Sequence, residues 1–379
     1  HGEQPFWMAI MLASMIGQIG LPGGGFGFGY SATNHIGGQF TILPGAAFPQ
    51  AKNEIENFIP VARISDLLLK PNENFNFDGK KYKYPDTKIV YWAGGNPFHH
   101  HQDLNRLIKA WEKPDTIICN EWCWNTLAKR SDIVLPCTTP LERKDIMMTP
   151  RDPYVVSMSK LVDPYGQARN DYEIFTGIAK KMGVEKKFTE SRNQEEWQEW
   201  IYNQTFDRAA AANIKIPNYK KFREDGWFKV RDPKEPTIML KDFRKDPVKN
   251  ALATPSGKIE IFSKTVSDFG YDDCPGHPVW LEPCEWLGKK NKIYPIHLIS
   301  NQPKDKLHSQ IDHGKYSKSL KINGREPLEI NPKDADQRGL KNGDIVRLFN
   351  DRGSCLAGVR INNKIREKVV QMSTGAWHD

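Results

Sequence analysis

The sequence predicts an α/β protein in which a parallel-sheet region is followed by a small C-terminal β-barrel. Between residues 89 and 143, three short apolar runs alternate with two amphipathic segments. Such alternation is typical of β-α-β units, whose strands form a parallel sheet. From residue 293 onwards, short apolar runs are separated by glycine turns instead. This second pattern indicates an all-β region of the small barrel type.

The first pattern places each element of a β-α-β-α-β unit. The apolar runs, expected as strands, are Ile89–Trp92, Thr116–Cys119 and Asp132–Leu135. The segments between them, expected as helices, are Gln102–Trp111 and Trp122–Arg130. Ligands of parallel sheets bind outside the carboxyl ends of the strands, so a ligand site is expected there.

Polar residues and glycines follow the ends of these strands. Gly94, Gly95 and Asn96 follow the first run, and Asn120 and Glu121 follow the second. Glycines let a backbone approach a phosphate closely, and an acidic side chain at this place commonly accepts hydrogen bonds from a ribose or a base edge. From the pattern alone, a nucleotide site and a plain α/β domain with glycine turns fit equally well.

Further elements follow the same rules of periodicity. Beyond the parallel unit we expect a strand at Tyr154–Lys160 and helices at Asp171–Met182 and Asn193–Ala212. The expected strands of the C-terminal region are Tyr294–Ser300, Pro327–Ile330, Ile345–Asn350, Cys355–Ile361 and Lys368–Met372.

Composition narrows the class of protein. The chain has 379 residues, 39% of them hydrophobic and 26% charged, which suits two or three folded domains. Its net charge is +8, but the lysines and arginines form no block of the nucleic-acid-binding type, so we expect a solvated basic surface and no nucleic-acid partner. No apolar run reaches the length of a membrane span, so we do not expect a membrane-embedded protein.

Several kinds of catalytic and metal site are disfavoured. The six cysteines form no C-x-x-C pair, which argues against a zinc ribbon or an iron–sulfur cluster. The sequence contains neither G-x-S-x-G nor H-E-x-x-H, which argues against common hydrolase and zinc-peptidase chemistry. His99, His100 and His101 are consecutive, so their side chains point in different directions and do not form one metal site.

Three long phrases resemble one enzyme family. They are GGNPFHHHQDLNRL, NEWCWNTLAKRSDIVLPCTTPLER and INPKDADQRGLKNGDIVRLFNDRGS. All three resemble the dimethyl sulfoxide, trimethylamine N-oxide and biotin sulfoxide reductases, which are molybdenum enzymes whose metal is held by two molybdopterin guanine dinucleotides. The resemblance covers nearly the whole chain, and the motifs recur in the family's order.

The resemblance implies an activity and a set of cofactor-binding residues. The implied activity is reduction of S-oxides or N-oxides, trimethylamine N-oxide or dimethyl sulfoxide first, by oxygen-atom transfer at molybdenum. The alternatives are a biotin sulfoxide reductase and a non-catalytic nucleotide-binding module. The implied cofactor-binding residues are Gly2, Gln4, Asn96, His100, Asn120, Glu121, Arg143, Asp171, His308, Ser309 and Gln310.

Three of these assignments rest on local sequence features as well. Arg143 follows the third predicted strand, where a guanidinium can form a charge-assisted bond with a phosphate. Asp171 lies in an ARNDY phrase whose aspartate contacts the guanine in the family, but it equally suits the N-cap of the following helix. The loop of His308, Ser309 and Gln310 supplies neutral hydrogen-bonding groups that suit a pterin ring, but polar residues after a strand are ordinary, so here the pattern alone favours a plain loop and the resemblance implies the cofactor contact.

The resemblance also implies the domain organisation. Residues 1–60 would end an α/β cofactor-binding domain, residues 61–265 would form the guanine dinucleotide-binding domain, and residues 266–292 would be a linker. Residues 293–379 would form a truncated double-psi β-barrel that binds molybdopterin dinucleotide. In the family a serine upstream of this region binds the molybdenum, so we expect no metal ligand in this chain, which resembles an internal-to-C-terminal piece.

Finally, the family resemblance implies a cellular setting. Relatives that reduce trimethylamine N-oxide or dimethyl sulfoxide act in anaerobic respiration in the periplasm. They take electrons from a membrane-anchored multihaem cytochrome c. A biotin sulfoxide reductase would instead be cytoplasmic.

Overall fold

The computed structural model describes residues 2–27, 29, 36, 41–50, 52–149, 152–233 and 235–378. Its α-helices are α1 Glu3–Met15, α2 Ile64–Leu69, α3 Pro97–His100, α4 Leu104–Trp111, α5 Asp171–Lys181, α6 Glu185–Thr189, α7 Gln194–Ala211, α8 Tyr219–Asp225, α9 Lys241–Lys245, α10 Lys264–Ser267, α11 Lys315–Leu320 and α12 Pro332–Asp336. Short 3-10 helices lie at Val61–Arg63, Ala128–Arg130 and Pro140–Glu142.

The strands of the described residues form four sheets. They are β1 Asn74–Phe77, β2 Lys80–Lys83, β3 Ile89–Ala93, β4 Thr116–Glu121, β5 Ile133–Pro136, β6 Asp145–Met147, β7 Tyr154–Met158, β8 Trp227–Lys229, β9 His297–Ile299, β10 Pro327–Ile330, β11 Ile345–Asn350, β12 Gly353–Ile361 and β13 Val369–Met372. No helix in the described part of the chain is long and apolar enough to span a bilayer.

The chain forms two compact units. The first unit comprises His1–Glu56, Asn76–Lys81 and Pro136–Leu281. The second unit comprises Asn57–Phe75, Tyr82–Leu135 and Glu282–Asp379, so it contains the strands β3 and β4 together with the C-terminal sheet. The domain boundaries expected from the sequence stay predictions.

In the second unit, the predicted β-α-β region forms a sheet of order β3-β4-β5, and β3 and β4 are parallel. Asp103 caps α4 by accepting a 3.2 Å hydrogen bond from the backbone N–H of Arg106. The buried face of α4 consists of Leu107, Ala110 and Trp111, at the spacing of one helical stripe. This stripe packs in the same cluster as Cys119 of β4, so burial of apolar area holds helix and sheet together.

One predicted helix of this region is wrong. Trp122–Arg130 forms a loop that ends in the 3-10 turn Ala128–Arg130. The side chain of Asn125 accepts a 3.1 Å hydrogen bond from the backbone N–H of Ala128, which favours a turn over a continuing helix. Residues 125–128 are all buried, so burial here is consecutive and does not follow a helical period.

The C-terminal sheet has the order β11-β12-β10-β13-β9. Neighbours β10 and β12 are parallel, as are β13 and β9, whereas β11–β12 and β10–β13 are antiparallel. This mixed sheet wraps a core that includes Leu328, Ile330, Ala357, Val359 and Val370. All five predicted strands are present, and the predicted class of an α/β protein with a C-terminal barrel-type domain is confirmed.

The first unit contains the antiparallel sheet β6-β7-β8. Its core includes Val155, Tyr202, Phe222 and Val230. The rings of Tyr202 and Phe222 are stacked with centroids 4.7 Å apart, which adds a specific aromatic contact to the burial.

Candidate cofactor-binding site

Two strand ends bring the first candidate residues together. Ala93 of β3 and Asn120 of β4 are paired in the parallel register, so both strands end at the same edge of the sheet. Asn96 follows the first strand within three residues, and Glu121 ends the second. Both side chains are buried, at 6% and 8% exposure. The structure therefore places these two candidates at one sheet edge, as expected from the sequence.

Asn96 carries a polar group that needs an external partner. Its Oδ1 accepts a 3.0 Å hydrogen bond from the backbone N–H of Phe98 and so caps α3. Its Nδ2 is buried and has no hydrogen-bond partner among the described residues. The preceding Gly94 has a left-handed φ of 80° and open space where a side chain would lie. A ligand acceptor reaching this glycine turn would satisfy the amide, since buried donors are normally paired.

The carboxyl group of Glu121 is buried in the protein. Burial raises its pKa, while hydrogen bonds from Asn125 and from the backbone N–H of Trp122, at 3.2 Å, oppose the rise. Its neighbour Asn120 accepts a 2.8 Å hydrogen bond from the hydroxyl of Tyr91. A buried carboxyl group beside an amide suits recognition of a base edge or a ribose, which offer both donors and acceptors.

The second group of candidates lies in the loop after β9. His308 has a left-handed φ of 53°, and its ring lies 6.5 Å from the ring of His100. Both of these histidines are exposed, as is Gln310, whereas Ser309 is buried. The structure therefore brings His308 and His100, which are 208 positions apart in the chain, into one neighbourhood of the second unit.

A residue that the sequence analysis missed, Trp377, holds this loop. Its Nε1 donates a 2.8 Å hydrogen bond to the carbonyl oxygen of Ser309, and its backbone N–H donates at 3.1 Å to Asp312. The indole is stacked on the ring of His99 at 5.2 Å and lies against the ring of His313 at 4.8 Å. Nothing local in the sequence identifies this role, because the contacts join positions far apart in the chain.

Arg143 belongs to the first unit and is engaged with protein groups. One of its terminal nitrogens donates a 2.9 Å hydrogen bond to the carbonyl oxygen of Thr138. Its Nε pairs with Asp145 at 3.3 Å, and the arginine side chain is 21% exposed. A phosphate contact by Arg143 stays a prediction.

The structure decides one alternative for Asp171. The N-cap of α5 is Asn170, which forms a capping box with Glu173. The backbone N–H of Asn170 donates to the Glu173 carboxylate at 3.1 Å. Asp171 is therefore the first residue of the helix, and its assignment as the N-cap is wrong. Its contact with a guanine stays a prediction.

The N-terminal candidates also lie in the first unit. Gly2 precedes α1 as its N-cap and is exposed. Gln4 is buried at 5% exposure, and its Oε1 accepts a 2.9 Å hydrogen bond from the backbone N–H of Val279. Its Nε2 donates to Glu3 at 3.2 Å. Gln4 thus joins the start of α1 to residue 279, and its contact with a pterin stays a prediction.

Two family models match the chain. The molybdopterin oxidoreductase model matches residues 1–181, and the molydopterin dinucleotide binding domain model matches residues 296–379. The second match covers the C-terminal sheet and the loop of His308, Ser309 and Gln310. The matches agree with a chain that binds a molybdopterin cofactor.

Named relatives match along the whole chain. A biotin sulfoxide reductase of Cereibacter sphaeroides is 43% identical over 378 residues, covering 100% of this chain and 50% of that protein. A trimethylamine-N-oxide reductase of Haemophilus influenzae is 43% identical over 396 residues, covering 100% and 48%. A dimethyl sulfoxide/trimethylamine N-oxide reductase of Cereibacter sphaeroides is 42% identical over 397 residues, covering 100% and 48%. The chain spans about half the length of these curated relatives.

A solved structure shows the same fold. Acetylene hydratase from Pelobacter acetylenicus superimposes with a TM-score of 0.60 at 18% identity, over 78% of this chain and 38% of that protein. This likeness supports the fold assignment alone. On the two domain matches and the full-chain similarity to the named reductases, the chain belongs to the molybdopterin oxidoreductase family.

Proposed function

We propose that the full-length protein containing this chain reduces S-oxides or N-oxides, with trimethylamine N-oxide or dimethyl sulfoxide as the first-choice substrates. The observation that carries the proposal is the full-chain similarity to reductases of these compounds, at 42% and 43% identity. In such a reaction two electrons and two protons are consumed, the bond from sulfur or nitrogen to oxygen breaks, and the oxygen leaves as water. We propose bis(molybdopterin guanine dinucleotide) with molybdenum as the cofactor.

The residues of this chain fit a cofactor of that chemistry. Buried Asn96 has an amide nitrogen that no acceptor of the described residues reaches, next to the open turn at Gly94. Glu121 offers a buried carboxyl at the same sheet edge. A guanine or ribose presents complementary donors and acceptors, so this edge supports the proposed dinucleotide. When bound, the molybdenum cofactor supplies the oxygen-atom transfer, and the protein supplies binding, orientation and electrostatics.

In the proposal the chain's residues bind and orient the cofactor. Asn96 donates through Nδ2 while its Oδ1 stays committed to capping α3, so the amide is held in one orientation. Glu121 is fixed by the backbone N–H of Trp122. The loop of His308, Ser309 and Gln310 contributes neutral hydrogen-bonding groups to a pterin. None of these residues is proposed to bind the metal.

A biotin sulfoxide reductase is the second candidate. The relative of that name matches at 43% over 378 residues, close to the 379 residues of this chain. The two matches to trimethylamine N-oxide and dimethyl sulfoxide reductases extend over 396 and 397 residues. Because the three relatives are 43%, 43% and 42% identical to this chain, similarity alone does not choose among their substrates. The three substrates must therefore be compared directly.

The test is a reductase assay on the full-length protein with a reduced viologen dye as electron donor. The proposal expects dye oxidation that depends on trimethylamine N-oxide or dimethyl sulfoxide, with a larger kcat/KM than for biotin sulfoxide. A larger kcat/KM for biotin sulfoxide would select the second candidate. Absence of turnover with all three substrates, in protein that contains molybdenum, would contradict the proposed activity.

We further propose a periplasmic location and a membrane-anchored multihaem cytochrome c as electron donor. Resemblance to the trimethylamine N-oxide and dimethyl sulfoxide reductases supports this setting. Cell fractionation of the source organism, with the protein detected by antibody, tests the location. Recovery of the protein in the cytoplasm would instead favour the biotin sulfoxide alternative.

A further inference from the structure

A lysine is buried beside the candidate pterin loop. The side chain of Lys306 is 1% exposed, although it precedes exposed His308 by only two residues. Its ammonium lies 2.7 Å from Asp312, 3.4 Å from Glu326 and 3.8 Å from Asp305. Lysines are almost never fully buried unless paired, and Lys306 meets this condition through the three carboxylates.

The charges around Lys306 keep it ionised. Burial acts to lower its pKa, but the hydrogen bond to Asp312 and the charges of Glu326, Asp312 and Asp305 outweigh burial, and the pKa is raised. For Asp312, burial acts to raise the pKa, whereas hydrogen bonds from Lys306, from Lys321 and from the backbone N–H of Trp377 lower it. The pair is thus a fixed ammonium–carboxylate contact.

Asp312 connects Lys306 to Trp377, which contacts the candidate loop. Its Oδ1 accepts from Lys306, and its Oδ2 accepts from Lys321 at 2.7 Å and from the backbone N–H of Trp377 at 3.1 Å. The indole of Trp377 then donates to the carbonyl oxygen of Ser309. The two end residues of the loop, Lys306 and Asp312, are therefore paired with each other, and its middle residue, Ser309, accepts a hydrogen bond from Trp377. His308 projects from this closed loop in a left-handed backbone conformation.

We propose that Lys306 is a positioning residue, which acts through Asp312 and Trp377 to hold His308, Ser309 and Gln310 in their cofactor-binding conformation. The inference rests on the proposed function, because it assigns the loop to the cofactor. Removing one partner of a buried ion pair leaves an uncompensated charge, so loss of the lysine should loosen the loop. Lys306 itself is not proposed to touch the cofactor.

The test compares variants of the full-length protein by two readouts besides activity. Amide hydrogen exchange is followed in peptides covering residues 305–314 and 374–378, and released guanine nucleotide is measured per protein after identical purification. Lys306→Met removes the charge at similar length, and Lys306→Arg keeps a cation. Lys333→Met is the control, because Lys333 pairs with Glu367 at 2.5 Å in the same unit while its side chain is 71% exposed.

We expect Lys306→Met to exchange about tenfold faster in these two peptides and to lose most of its bound nucleotide, as breaking a buried pair implies. Compared with Lys306→Met, Lys306→Arg should show slower exchange and more bound nucleotide. Lys333→Met should match the parent protein in both. Unchanged exchange in Lys306→Met would overturn the inference. Faster exchange with normal nucleotide content would also overturn it, as would a uniform loss of protection across the whole chain.

A milder variant keeps the inference testable if Lys306→Met does not fold. Lys321→Met removes the second ammonium from Asp312, and this lysine side chain is 15% exposed. It should change both readouts in the same direction by a smaller factor, and normal values in both would overturn the inference. If the parent protein itself holds no nucleotide, the proposed function fails. The exchange comparison then still decides whether Lys306 holds the loop.

Discussion

The indole N–H of Trp377 donates a 2.8 Å hydrogen bond to the carbonyl oxygen of Ser309. This contact joins the segment after β13 to the loop after β9, two parallel neighbouring strands, so a residue far away in the chain but beside the loop in the sheet holds the candidate pterin loop. Thr126, in the loop after β4, donates from its hydroxyl to the carbonyl oxygen of His378. Within the second unit, the segment around Trp377 therefore contacts both the candidate pterin loop and the loop that follows Glu121.

Substitution of Gly375 tests how closely the segment around Trp377 packs against His308. It has a left-handed φ of 89°, and a side chain at Gly375 would overlap the carbonyl group of His308. Gly343 is a matched control, with a φ of 94° and open space around the missing side chain. We expect Gly343→Ala to lower the free energy of unfolding by about 1–2 kcal/mol through backbone strain. Gly375→Ala should lower it by at least about 1 kcal/mol more, because the overlap adds to the strain.

Urea unfolding of the cofactor-free full-length proteins measures this difference. Bound guanine nucleotide, determined on the same preparations before cofactor removal, should fall in Gly375→Ala and stay at the parent level in Gly343→Ala. Equal effects of the two substitutions on unfolding and nucleotide content would contradict the close contact between residue 375 and His308.

Asn96→Asp separates the capping of α3 by Asn96 from the proposed hydrogen bond of its amide to the cofactor. The substitution keeps an oxygen that can cap α3 but removes the buried N–H donors. We expect a several-fold loss of bound nucleotide, since a donor to the ligand is replaced by an acceptor. Asn218→Asp is the control, because Asn218 caps α8 by accepting from the backbone N–H of Lys221 at 2.9 Å. Equal nucleotide content in Asn96→Asp and Asn218→Asp would show that the amide of Asn96 does not bind the cofactor.

Glu121 gives a pH-dependent prediction. Because burial raises its pKa, the native state keeps this proton at pH values where the unfolded chain has lost it. The parent protein therefore loses stability as pH rises from the ordinary glutamate pKa through the raised native value. Glu121→Gln has no such loss, so the variant should melt higher than the parent at neutral pH when both are free of cofactor.

Melting temperatures of the two cofactor-free proteins between pH 4 and 8, a range that starts below the ordinary glutamate pKa, provide the measurement. The difference between variant and parent should be smallest at the acidic end and widen as pH rises. A difference that stays constant across this range would contradict a raised pKa at Glu121. In cofactor-loaded protein the same substitution should lower nucleotide retention, because glutamine replaces a carboxyl acceptor with an amide donor at one position.

Arg143→Lys tests the expected phosphate contact. A guanidinium binds phosphate through two parallel N–H groups, which a lysine cannot reproduce. The partly exposed pair with Asp145 contributes about 0–1 kcal/mol, so the melting temperature of the cofactor-free protein should barely change. Cofactor retention should fall. Arg352→Lys, which alters an exposed bidentate pair with Glu285, serves as the control and should retain the cofactor normally. Normal retention in Arg143→Lys would reject the phosphate role.

Much of the fold follows from local sequence patterns. Strands such as Pro327–Ile330 and Ile345–Asn350 occur at the bounds expected from their apolar runs. The helix expected at Gln102–Trp111 forms as α4, because its apolar residues repeat at helical spacing and Asp103 supplies a cap. The segment Trp122–Arg130 fails because tertiary packing buries consecutive residues there, which a single-helix pattern does not encode.

Part of the candidate site is also predictable from local sequence patterns. Asn96 and Glu121 were found because parallel strands bring their ends to one edge, a rule that needs only the strand order. Lys306 and Trp377 were not found, because their importance lies in contacts with Asp312 and Ser309 that only the folded chain creates. A lysine in a polar loop carries no sequence signal of burial.

The composition of the purified full-length protein tests the proposed function most directly. Molybdenum is measured by elemental analysis, and guanine nucleotide is measured after acid release from the same sample. We expect both to be present, with about two guanine nucleotides for each molybdenum, because the cofactor carries the chemistry and the protein holds it. Protein that is folded and pure but contains neither molybdenum nor guanine nucleotide would contradict the proposed function and favour a non-catalytic nucleotide-binding module.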